Sequence, residues 1–479
     1  MDKLNDLISR KNAIISGCTK PENGGLSARE RIARLFDEGS FIETDIFSGR
    51  SGAAEGVITG YGTIDSSLAF VYAQDGNADG GAFGCEEAKK ICKIMDMALK
   101  TGAPLISLLD SCGTKLEDGI NVLASMGDVF SRYAKASGAI LQISALFGTC
   151  AGGASFIPAM SDFVIMTKNS QMMINGPATC SEEGHSVTAE DMCSAKINAE
   201  VSGNAQFAVD SDEEAIDKIK MLISLLPSNS EEYAPEVECT DDLNRLSEQM
   251  GSIGMPVKEV IRQIADNCEF FETSEAFAKN IVTGYIRING RTVSVIANDG
   301  ELDSNASKKA ADFIAFSDSF NIPVLTLCDT DGYKASKEEE SQGLTKYAAK
   351  LLYAYASATI PKVTVICSKA CTSAGIAMGS RAAGADFVLA WPNSVIGTLS
   401  SDMASVILYE EELKSGLTRD AVKEKYENEY ATAIKAAETG YIDDVIEADS
   451  TRPRVAAAFE MLFSKGEQAP SKKHGSFAF

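Results

Sequence analysis

Apolar and polar positions follow one another in blocks along the chain, and one block ends in an unusual turn. Residues 140–147 are almost continuously apolar, which predicts a strand that is buried on both faces. A glycine-rich turn follows at residues 148–154, and residues 155–160 have a composition compatible with a helix. A strand that turns into a helix leaves backbone N–H groups without partners at the helix start. Such groups can stabilise an oxygen atom that becomes negative during a reaction.

The same order of elements recurs in the second half of the chain. Residues 360–366 form another apolar run, and residues 371–375 form another turn of small residues, which has lost the paired glycines. Further strand and helix patterns match in order: 68–76 with 292–300, 85–101 with 307–320, 102–110 with 321–329, and 161–166 with 385–390. Apolar strands that alternate with helices are typical of parallel β units. The predicted fold class is therefore α/β, with one repeated unit in each half.

The break between the halves is predicted at residues 226–235, a polar stretch that contains two prolines. This places one domain at residues 1–235 and the other at residues 236–479. A chain of 479 residues is also longer than one ordinary hydrophobic core requires. The second domain is expected to begin with a helix near residues 257–268.

Composition narrows the classes of function. The formal net charge of −24 argues against nucleic acid or an anionic membrane surface as a partner. The twelve cysteines include no Cys-x-x-Cys pair, which favours buried thiols in a reducing compartment over disulfides or a zinc site. No apolar run approaches the length of a membrane span, and the N-terminus lacks a signal-peptide core. We therefore expect a soluble, cytoplasmic protein without a bound metal.

Histidine occurs only twice, at His185 and His474, and both lie in polar stretches that predict solvated surface positions. Catalysis by a Ser-His or Cys-His pair is therefore unfavoured, because the chain has almost no histidine that could act as the base. This scarcity favours chemistry that relies on backbone groups.

Several segments, in their order and spacing, resemble the biotin-dependent carboxyltransferases of the propionyl-CoA carboxylase β and methylmalonyl-CoA decarboxylase α subunit type. The segments that carry this resemblance are residues 26–32, 37–41, 60–64, 139–154, 161–163, 350–354, 390–392 and 472–475. The resemblance implies two tandem crotonase-like domains of repeated ββα units in each chain. It also implies a homo- or hetero-hexamer of two stacked trimers.

The resemblance further implies the reaction. A carboxyl group would move between a short-chain acyl-CoA, either methylmalonyl/propionyl-CoA or malonyl/acetyl-CoA, and N1 of biotin on a separate carrier protein. In this family one domain binds acyl-CoA, the other binds biotin, and the active site forms between domains of different subunits. Backbone amides stabilise an enolate and a ureido oxyanion. Because the chain has no Ala-Met-Lys-Met biotinylation motif, the biotin carboxyl carrier protein is expected to be a separate partner, as is a biotin carboxylase or a set of membrane decarboxylase subunits.

Carried over residue by residue, the resemblance predicts two oxyanion holes. The amides of Gly152 and Gly153 would serve the acyl-CoA, and those of Ser373 and Ala374 would serve biotin. The predicted substrate-binding positions are Gly80, Gly81, Ala82, Gly113, Ala154 and Ile376.

Each of these positions also has an interpretation without a ligand. A Gly-Gly pair can simply permit close packing of a strand and a helix. The loop at residues 80–84 can be an ordinary turn, and Ile376 can belong to the core.

The chain departs from the family pattern most strongly in the second half. The family's Gly-Gly-Ala turn is Thr372-Ser373-Ala374 here, its Pro-Gly-Phe turn is residues 331–333, and its Arg-His-Gly is residues 346–348. The added side-chain atoms predict a narrower biotin pocket and a different backbone path in the turn.

The first half departs less. Its changes are Lys115 for the family's arginine, Cys112 for a glycine, and Asn198 and Gln206 for two histidines. Lys115 keeps the positive charge without the planar fork of arginine. Cys112 has no nearby histidine in the sequence and is expected to be inert.

Two other functions remain open at this point. A catalytically weakened subunit that binds acyl-CoA or has a structural role in a heteromeric complex would explain why the changes concentrate in the second half. A crotonase-like hydrolase or isomerase would instead need a carboxylate base near Gly152, such as Glu86 or Asp110.

Overall fold

The computed structural model describes residues 2–18, 20–21, 24–48, 56–181, 186–252, 254–467 and 470. Both histidines, His185 and His474, lie outside the described residues, as does the segment 472–475. The chain divides into two compact units, Met1–Tyr233 and Ala234–Phe479.

The first unit is one mixed sheet with helices packed on it. Its strands are β1 (Ile42–Thr44), β2 (Val57–Ile64), β3 (Ser67–Gln74), β4 (Leu105–Ser111), β5 (Gln142–Ala151), β6 (Phe163–Thr167), β7 (Gln171–Met173) and β8 (Phe207–Val209). Its α-helices are α1 (Asp2–Gly17), α2 (Ala28–Leu35), α3 (Cys85–Thr101), α4 (Asn121–Ala136), α5 (Phe156–Ala159), α6 (Pro177–Cys180), α7 (Ala189–Cys193), α8 (Ala195–Glu200) and α9 (Asp212–Leu225). Short 3₁₀ helices span Asp79–Gly81, Leu116–Asp118 and Gly152–Ser155.

The second unit repeats this plan. Its strands are β9 (Phe271–Thr273), β10 (Ile281–Ile288), β11 (Arg291–Asn298), β12 (Val324–Thr330), β13 (Lys362–Cys371), β14 (Phe387–Ala390), β15 (Val395–Gly397) and β16 (Asp444–Val445). Its α-helices are α10 (Val257–Ile264), α11 (Ser304–Ser319), α12 (Lys337–Gln342), α13 (Leu344–Ser357), α14 (Thr372–Ala377), α15 (Ser401–Leu408), α16 (Glu410–Lys414), α17 (Arg419–Tyr430), α18 (Ala433–Glu438) and α19 (Thr451–Leu462). Short 3₁₀ helices span Asp266–Cys268, Arg381–Ala383 and Ala448–Ser450.

The two sheets have the same topology. In the first unit the strand order is β1-β2-β3-β4-β5-β6-β8, with β7 paired to β5, and in the second it is β9-β10-β11-β12-β13-β14-β16, with β15 paired to β13. The central pairs, β3 to β6 and β11 to β14, are parallel, which confirms the parallel units predicted from the apolar runs. The antiparallel hairpins β2–β3 and β10–β11 were not predicted.

Local sequence accounts for several boundaries. Helix α3 spans the predicted residues and ends at Gly102, whose φ of 66° is the left-handed conformation that commonly terminates a helix. Helix α2 begins with a capping box, in which Ser27 and Glu30 satisfy each other's backbone N–H groups. Strand β5 continues to Ala151, so the predicted glycine turn is shorter than expected and begins at Gly152.

Buried hydroxyl pairs show that the duplication extends to side-chain contacts. In the first unit Ser107 Oγ lies 2.6 Å from the hydroxyl oxygen of Tyr133, which links β4 to α4. In the second unit Thr326 Oγ1 lies 2.7 Å from the hydroxyl oxygen of Tyr355, which links β12 to α13. All four residues are buried, and each hydrogen bond satisfies two polar groups that would otherwise be left unpaired in the core.

Among the described residues, no helix is both long and apolar enough to cross a membrane. The same part of the chain contains no cluster of three or more metal-ligating side chains of the His, Cys, Asp and Glu types. All twelve cysteines are free thiols, and all of them lie within the described segments.

Candidate active site

The glycine turn of the first unit lies where β5 passes into a 3₁₀ helix. Gly152 has a φ of 62°, in the left-handed region that favours glycine. Ala151 precedes the helix and has no side chain that could cap its first amide groups. The Ser155 hydroxyl donates to the Gly152 carbonyl oxygen at 2.7 Å and fixes the turn. The amide groups at this helix start are therefore available to an external oxygen atom.

Gly153 serves the packing of this turn. A Cβ atom at Gly153 would lie 2.5 Å from the terminal methyl carbon of Met126, which is buried on α4. At Gly152, by contrast, no heavy atom of the described chain lies within 4 Å of such a Cβ. The interpretation of the Gly-Gly pair as a packing device therefore applies to Gly153, while Gly152 lies beside open space.

The predicted loop at residues 80–82 is clamped to the end of β4. Gly80 and Gly81 have φ values of 65° and 66°, and a Cβ at Gly81 would lie 1.8 Å from the backbone oxygen of Asp110. The Cys112 N–H donates to the Gly80 carbonyl at 2.9 Å, and the Phe83 N–H donates to the Gly113 carbonyl at 2.7 Å. Glycine at position 81 is thus required by close backbone approach.

Gly113 connects this loop to the glycine turn. Its φ is 122°, and a Cβ on it would lie 3.9 Å from the carbonyl oxygen of Ala151, the residue before Gly152. The first unit therefore brings together the predicted positions Gly80, Gly81, Ala82, Gly113, Gly152, Gly153 and Ala154.

Asp110 lies beneath these segments, at an irregularity in the pairing of β4 and β5. A Cβ at Gly76 or at Gly148 would overlap its carboxyl group, at 2.5 Å and 2.1 Å. Burial raises the pKa of Asp110, although the Arg31 guanidinium at 4.0 Å and the Thr149 N–H, which donates to the carboxylate, oppose that shift. Asp110 therefore has a structural role.

The other carboxylate considered as a base, Glu86, forms an ion pair with Lys89 at 2.6 Å. Lys115, which replaces the family's arginine, is likewise paired inside the unit, with Glu87 at 2.6 Å. The two carboxylates proposed as bases for hydrolase or isomerase chemistry are thus engaged in other contacts.

The turn of the second unit begins with a left-handed residue, as the first turn does, although it lacks the glycines. Helix α14 begins at Thr372 directly after β13, and Thr372 has a φ of 60°, against 62° at Gly152. The expected change in backbone path is therefore wrong at this position. A β-branched residue in the left-handed region is uncommon and strained. The surrounding fold holds Thr372 in the conformation that glycine adopts in the first unit.

The side chains of this turn differ in their surroundings. Ser373 is exposed and Ala374 is buried. The Ala374 N–H donates to Thr372 Oγ1 at 3.3 Å. Ile376 is 40% exposed, which excludes the interpretation of this residue as part of the core. The second unit therefore brings Ser373, Ala374 and Ile376 onto one short helix.

A neighbouring turn replaces the family's Pro-Gly-Phe. Its Asp331 carboxylate pairs with Lys369 Nζ at 2.7 Å. The Lys369 N–H also donates to Asp329 at 3.2 Å, and burial raises the pKa of that carboxyl. The Leu302 N–H donates to the Gly332 carbonyl at 3.1 Å, which matches the contact between Phe83 and Gly113 in the first unit.

The two residues that replace family histidines brace loops. The Asn198 amide donates to the carbonyls of Cys193 and Ser194, both at 3.1 Å. The Gln206 side-chain oxygen accepts the Val164 N–H at 2.7 Å. These side chains have structural roles and supply no titrating group.

Sequence reasoning missed two contributors. It expected the side chain of Thr372 to change the backbone path, whereas the structure shows a left-handed residue whose hydroxyl contacts an amide of the turn. Alignment of the two repeats places Thr372 opposite Gly152 and contains the signal for this strain. It also missed Met126, which no local pattern connects to the turn.

Comparison with known proteins identifies relatives across nearly the whole chain. The model of the carboxyl transferase domain matches residues 20–477. The α subunit of methylmalonyl-CoA decarboxylase from Veillonella parvula is 42% identical over 477 residues, which cover 95% of this chain and 93% of the relative. The propionyl-CoA carboxylase β chain from Cereibacter sphaeroides is also 42% identical and covers 95% of this chain and 94% of its own.

A solved structure shows the same architecture. Transcarboxylase 12S, crystallised with methylmalonyl-coenzyme A and methylmalonic acid and described as a hexamer assembly, matches with a TM-score of 0.94 at 36% identity. The match covers 99% of this chain and 98% of that chain. It confirms the predicted fold of two tandem crotonase-like units. The chain belongs to the carboxyl transferase domain family, among the biotin-dependent acyl-CoA carboxyltransferases that include propionyl-CoA carboxylase β chains and methylmalonyl-CoA decarboxylase α subunits.

Proposed function

We propose that this chain is a carboxyltransferase component that moves a carboxyl group between methylmalonyl-CoA or propionyl-CoA and biotin carried by a separate protein. The observation that carries the proposal is the duplicated turn, in which Gly152 and Thr372 have φ values of 62° and 60° at equivalent strand ends. The relatives that share the fold are named for methylmalonyl-CoA and propionyl-CoA.

In the first unit the amides of Gly152 and Gly153 would hold the thioester oxygen of the acyl-CoA. As the α-carbon gains or loses the carboxyl group, negative charge develops on this oxygen. Fixed N–H groups stabilise that charge without reorganising. The left-handed Gly152 and the Ser155 hydroxyl keep the turn in place. The clamped loop at residues 80–82 and Gly113 would form one wall of the site.

In the second unit the amides of Ser373 and Ala374 would hold the ureido oxygen of biotin. Biotin supplies the nitrogen that gives or takes the carboxyl group, and a proton moves the opposite way between that nitrogen and the acyl α-carbon. An oxygen acceptor fits at this turn, since the Thr372 hydroxyl already accepts the Ala374 N–H. Ile376, being exposed on the same helix, would line the acyl pocket and influence the accepted chain length.

The alternative of a subunit with only a structural role is less well supported. That interpretation rested on the changed side chains of the second turn. The turn nevertheless keeps the left-handed residue and the strand-to-helix transition of the first. The proposed function accounts for that retained conformation.

Exposed apolar side chains support an assembled form of the protein. In the first unit Leu116 and Ile120 are 85% and 81% exposed, and in the second Met403 and Ile407 are 56% and 64% exposed. Apolar surface of this kind commonly marks sites of protein association. We propose a homo- or hetero-hexamer that works with a biotin carrier and with either a biotin carboxylase or membrane decarboxylase subunits, in the cytoplasm.

The test of this function is an exchange assay with the purified full chain. Isotope-labelled methylmalonyl-CoA is mixed with free biotin, and transfer of label is followed with biotin present and absent. We expect transfer that depends on biotin and is faster than with labelled malonyl-CoA. Absence of biotin-dependent transfer at any protein concentration, with CoA binding intact, would refute the proposal. Native mass measurement checks the assembly, which should weigh six times the 50.9 kDa chain if it is a homohexamer.

A further inference from the structure

The second turn differs from the first in one polar contact. Thr372 occupies the position of Gly152 and has nearly the same φ, so it adds a hydroxyl group to the oxyanion hole. That hydroxyl accepts the N–H of Ala374, with Thr372 Oγ1 at 3.3 Å from the amide nitrogen. Gly152 has no side chain, so the first turn lacks the equivalent contact.

The hydroxyl stands where a ligand oxygen would have to stand. An N–H group forms its hydrogen bond along the N–H direction, so two acceptors compete for the same region of space. Thr372 Oγ1 also lies close to Gly332, on which a Cβ atom would be 3.2 Å from it. The hydroxyl therefore fills the gap between residues 331–333 and the turn.

The contact is also weak enough to be displaced. Backbone N–H groups typically approach oxygen acceptors at about 2.7–3.2 Å, and 3.3 Å is longer than that range. A bond to a charged oxygen is shorter and stronger than one to a neutral hydroxyl. Rotation about the Cα–Cβ bond of Thr372 is sufficient to move the hydroxyl away, because the side chain has other staggered positions.

We infer that the Thr372 hydroxyl caps the second oxyanion hole in the unliganded protein and competes with the biotin oxygen for the Ala374 amide. This inference rests on the proposed function, which assigns that amide to biotin. Thr372 is then a specificity-determining residue that weakens biotin binding to this chain relative to a turn with a bare amide. No equivalent competition exists for the acyl-CoA at Gly152.

The test compares Thr372→Ala with Thr372→Ser in the exchange assay. The two variants differ by one hydroxyl oxygen, and both keep a Cβ atom at a left-handed position. Loss of a competing hydrogen bond should lower the KM for free biotin by about 2- to 10-fold in Thr372→Ala. Thr372→Ser should stay within about twofold of the unsubstituted chain. The KM for methylmalonyl-CoA should not change in either variant.

The outcomes separate this inference from the proposed function. If the unsubstituted chain transfers label but Thr372→Ala and Thr372→Ser have the same KM for biotin, the cap is refuted and the function stands. A higher KM in Thr372→Ala alone would also refute the cap, because it would mean that the hydroxyl assists binding. If neither the unsubstituted chain nor Thr372→Ala transfers label while CoA binding is intact, both the function and the cap are refuted.

Discussion

The two units contain equivalent strand-to-helix turns, but a different type of residue occupies the left-handed position in each. In the first, glycine occupies the left-handed position, and in the second, a β-branched threonine occupies it at nearly the same φ. A left-handed conformation costs about 1–2 kcal/mol for a residue with a Cβ atom. Thr372 accepts that cost, so the conformation is imposed by the strand and helix around it. The comparison shows that the fold determines the shape of the turn and that glycine removes the strain and clears the space.

The loops beside the two turns differ in length. Residues 75–84 connect β3 to α3 in the first unit, whereas residues 299–303 connect β11 to α11 in the second. The start of each loop is fixed alike, since Gln74 accepts the Asp110 N–H at 3.2 Å and Asn298 accepts the Asp329 N–H at 2.9 Å. The first unit thus has an additional wall beside its turn.

Substitution of Gly81 should give the largest effect. In Gly81→Ala the new Cβ would lie 1.8 Å from the Asp110 backbone oxygen, so the loop must leave its position. We expect a loss of stability of about 3 kcal/mol or more. Binding of methylmalonyl-CoA should fall by at least about 100-fold, since a 1.4 kcal/mol change in binding is tenfold. Thermal unfolding and calorimetric titration measure the two quantities.

The matched control is Gly300→Ala in the shorter loop of the second unit. Gly300 also has a positive φ, of 92°, but within the described structure no heavy atom lies within 4 Å of its Cβ position. This variant should lose only about 1–2 kcal/mol of stability and should bind methylmalonyl-CoA normally. Similar losses in both variants would show that backbone conformation alone, and not the close approach to Asp110, makes glycine necessary.

Exchange of the second turn residue tests packing. Gly153→Ser gives the first turn the residue of the second, and its Cβ would lie 2.5 Å from the Met126 methyl carbon. The methyl group ends a flexible side chain that can give way, so kcat/KM for methylmalonyl-CoA should fall by only about 2- to 10-fold, well short of the loss of an oxyanion donor. Steady-state kinetics with varied acyl-CoA provides the measurement.

The reverse exchange, Ser373→Gly, should be nearly silent. Ser373 is exposed, so its side chain fills no packed space, and the amide remains in place. We expect kcat/KM for biotin within about twofold of the unsubstituted chain. A loss as large as that of Gly153→Ser would mean that the serine side chain itself contacts biotin.

Much of this architecture was accessible from the sequence because apolar periodicity is a local signal. Helix α3 was predicted at its observed bounds, and the parallel strands were predicted from their apolar runs. The short strand β1 was not predicted. It forms by pairing with β2, and three residues are too few to show a strand pattern of apolar and polar positions. The site residues were found through the repeat and the family resemblance.

What escaped prediction depends on contacts between distant residues. The hydrogen bond between the Thr372 hydroxyl and the Ala374 amide depends on the φ angle of Thr372. Residue type alone does not predict a positive φ at a threonine. The closeness of Met126 to Gly153 depends on how α4 packs on the turn. The structural role of Asp110 escaped prediction for the same reason, since its partner Arg31 lies on α2.

A pair of equivalent aspartates outside the turns extends the comparison to stability. Asp162 accepts the N–H of Gln142 at 2.8 Å, and Asp386 accepts the N–H of Lys362 at 2.8 Å. Asp386 also pairs with Lys465 at 2.9 Å. Burial raises the pKa of Asp162 to about 7, with the hydrogen bond from Gln142 opposing the shift. The equivalent carboxylates therefore predict opposite responses to amide substitution.

The folded state binds the proton of Asp162 more tightly than the unfolded chain does, where the pKa is about 3.9. The stability that the protonated Asp162 contributes is therefore complete below pH 4 and is lost as the pH rises through 7. Asp162→Asn should therefore match the unsubstituted chain at pH 5 and exceed its unfolding free energy by about 2–3 kcal/mol at pH 8, since one unit of pKa shift corresponds to about 1.4 kcal/mol. Asp386→Asn should lose about 1 kcal/mol at both pH values, because Lys465 loses a charged partner. Urea unfolding at pH 5, 6, 7 and 8 measures these differences. A pH-independent loss in Asp162→Asn would mean that the ionised carboxylate is needed to hold Gln142, and that the two units treat this aspartate alike.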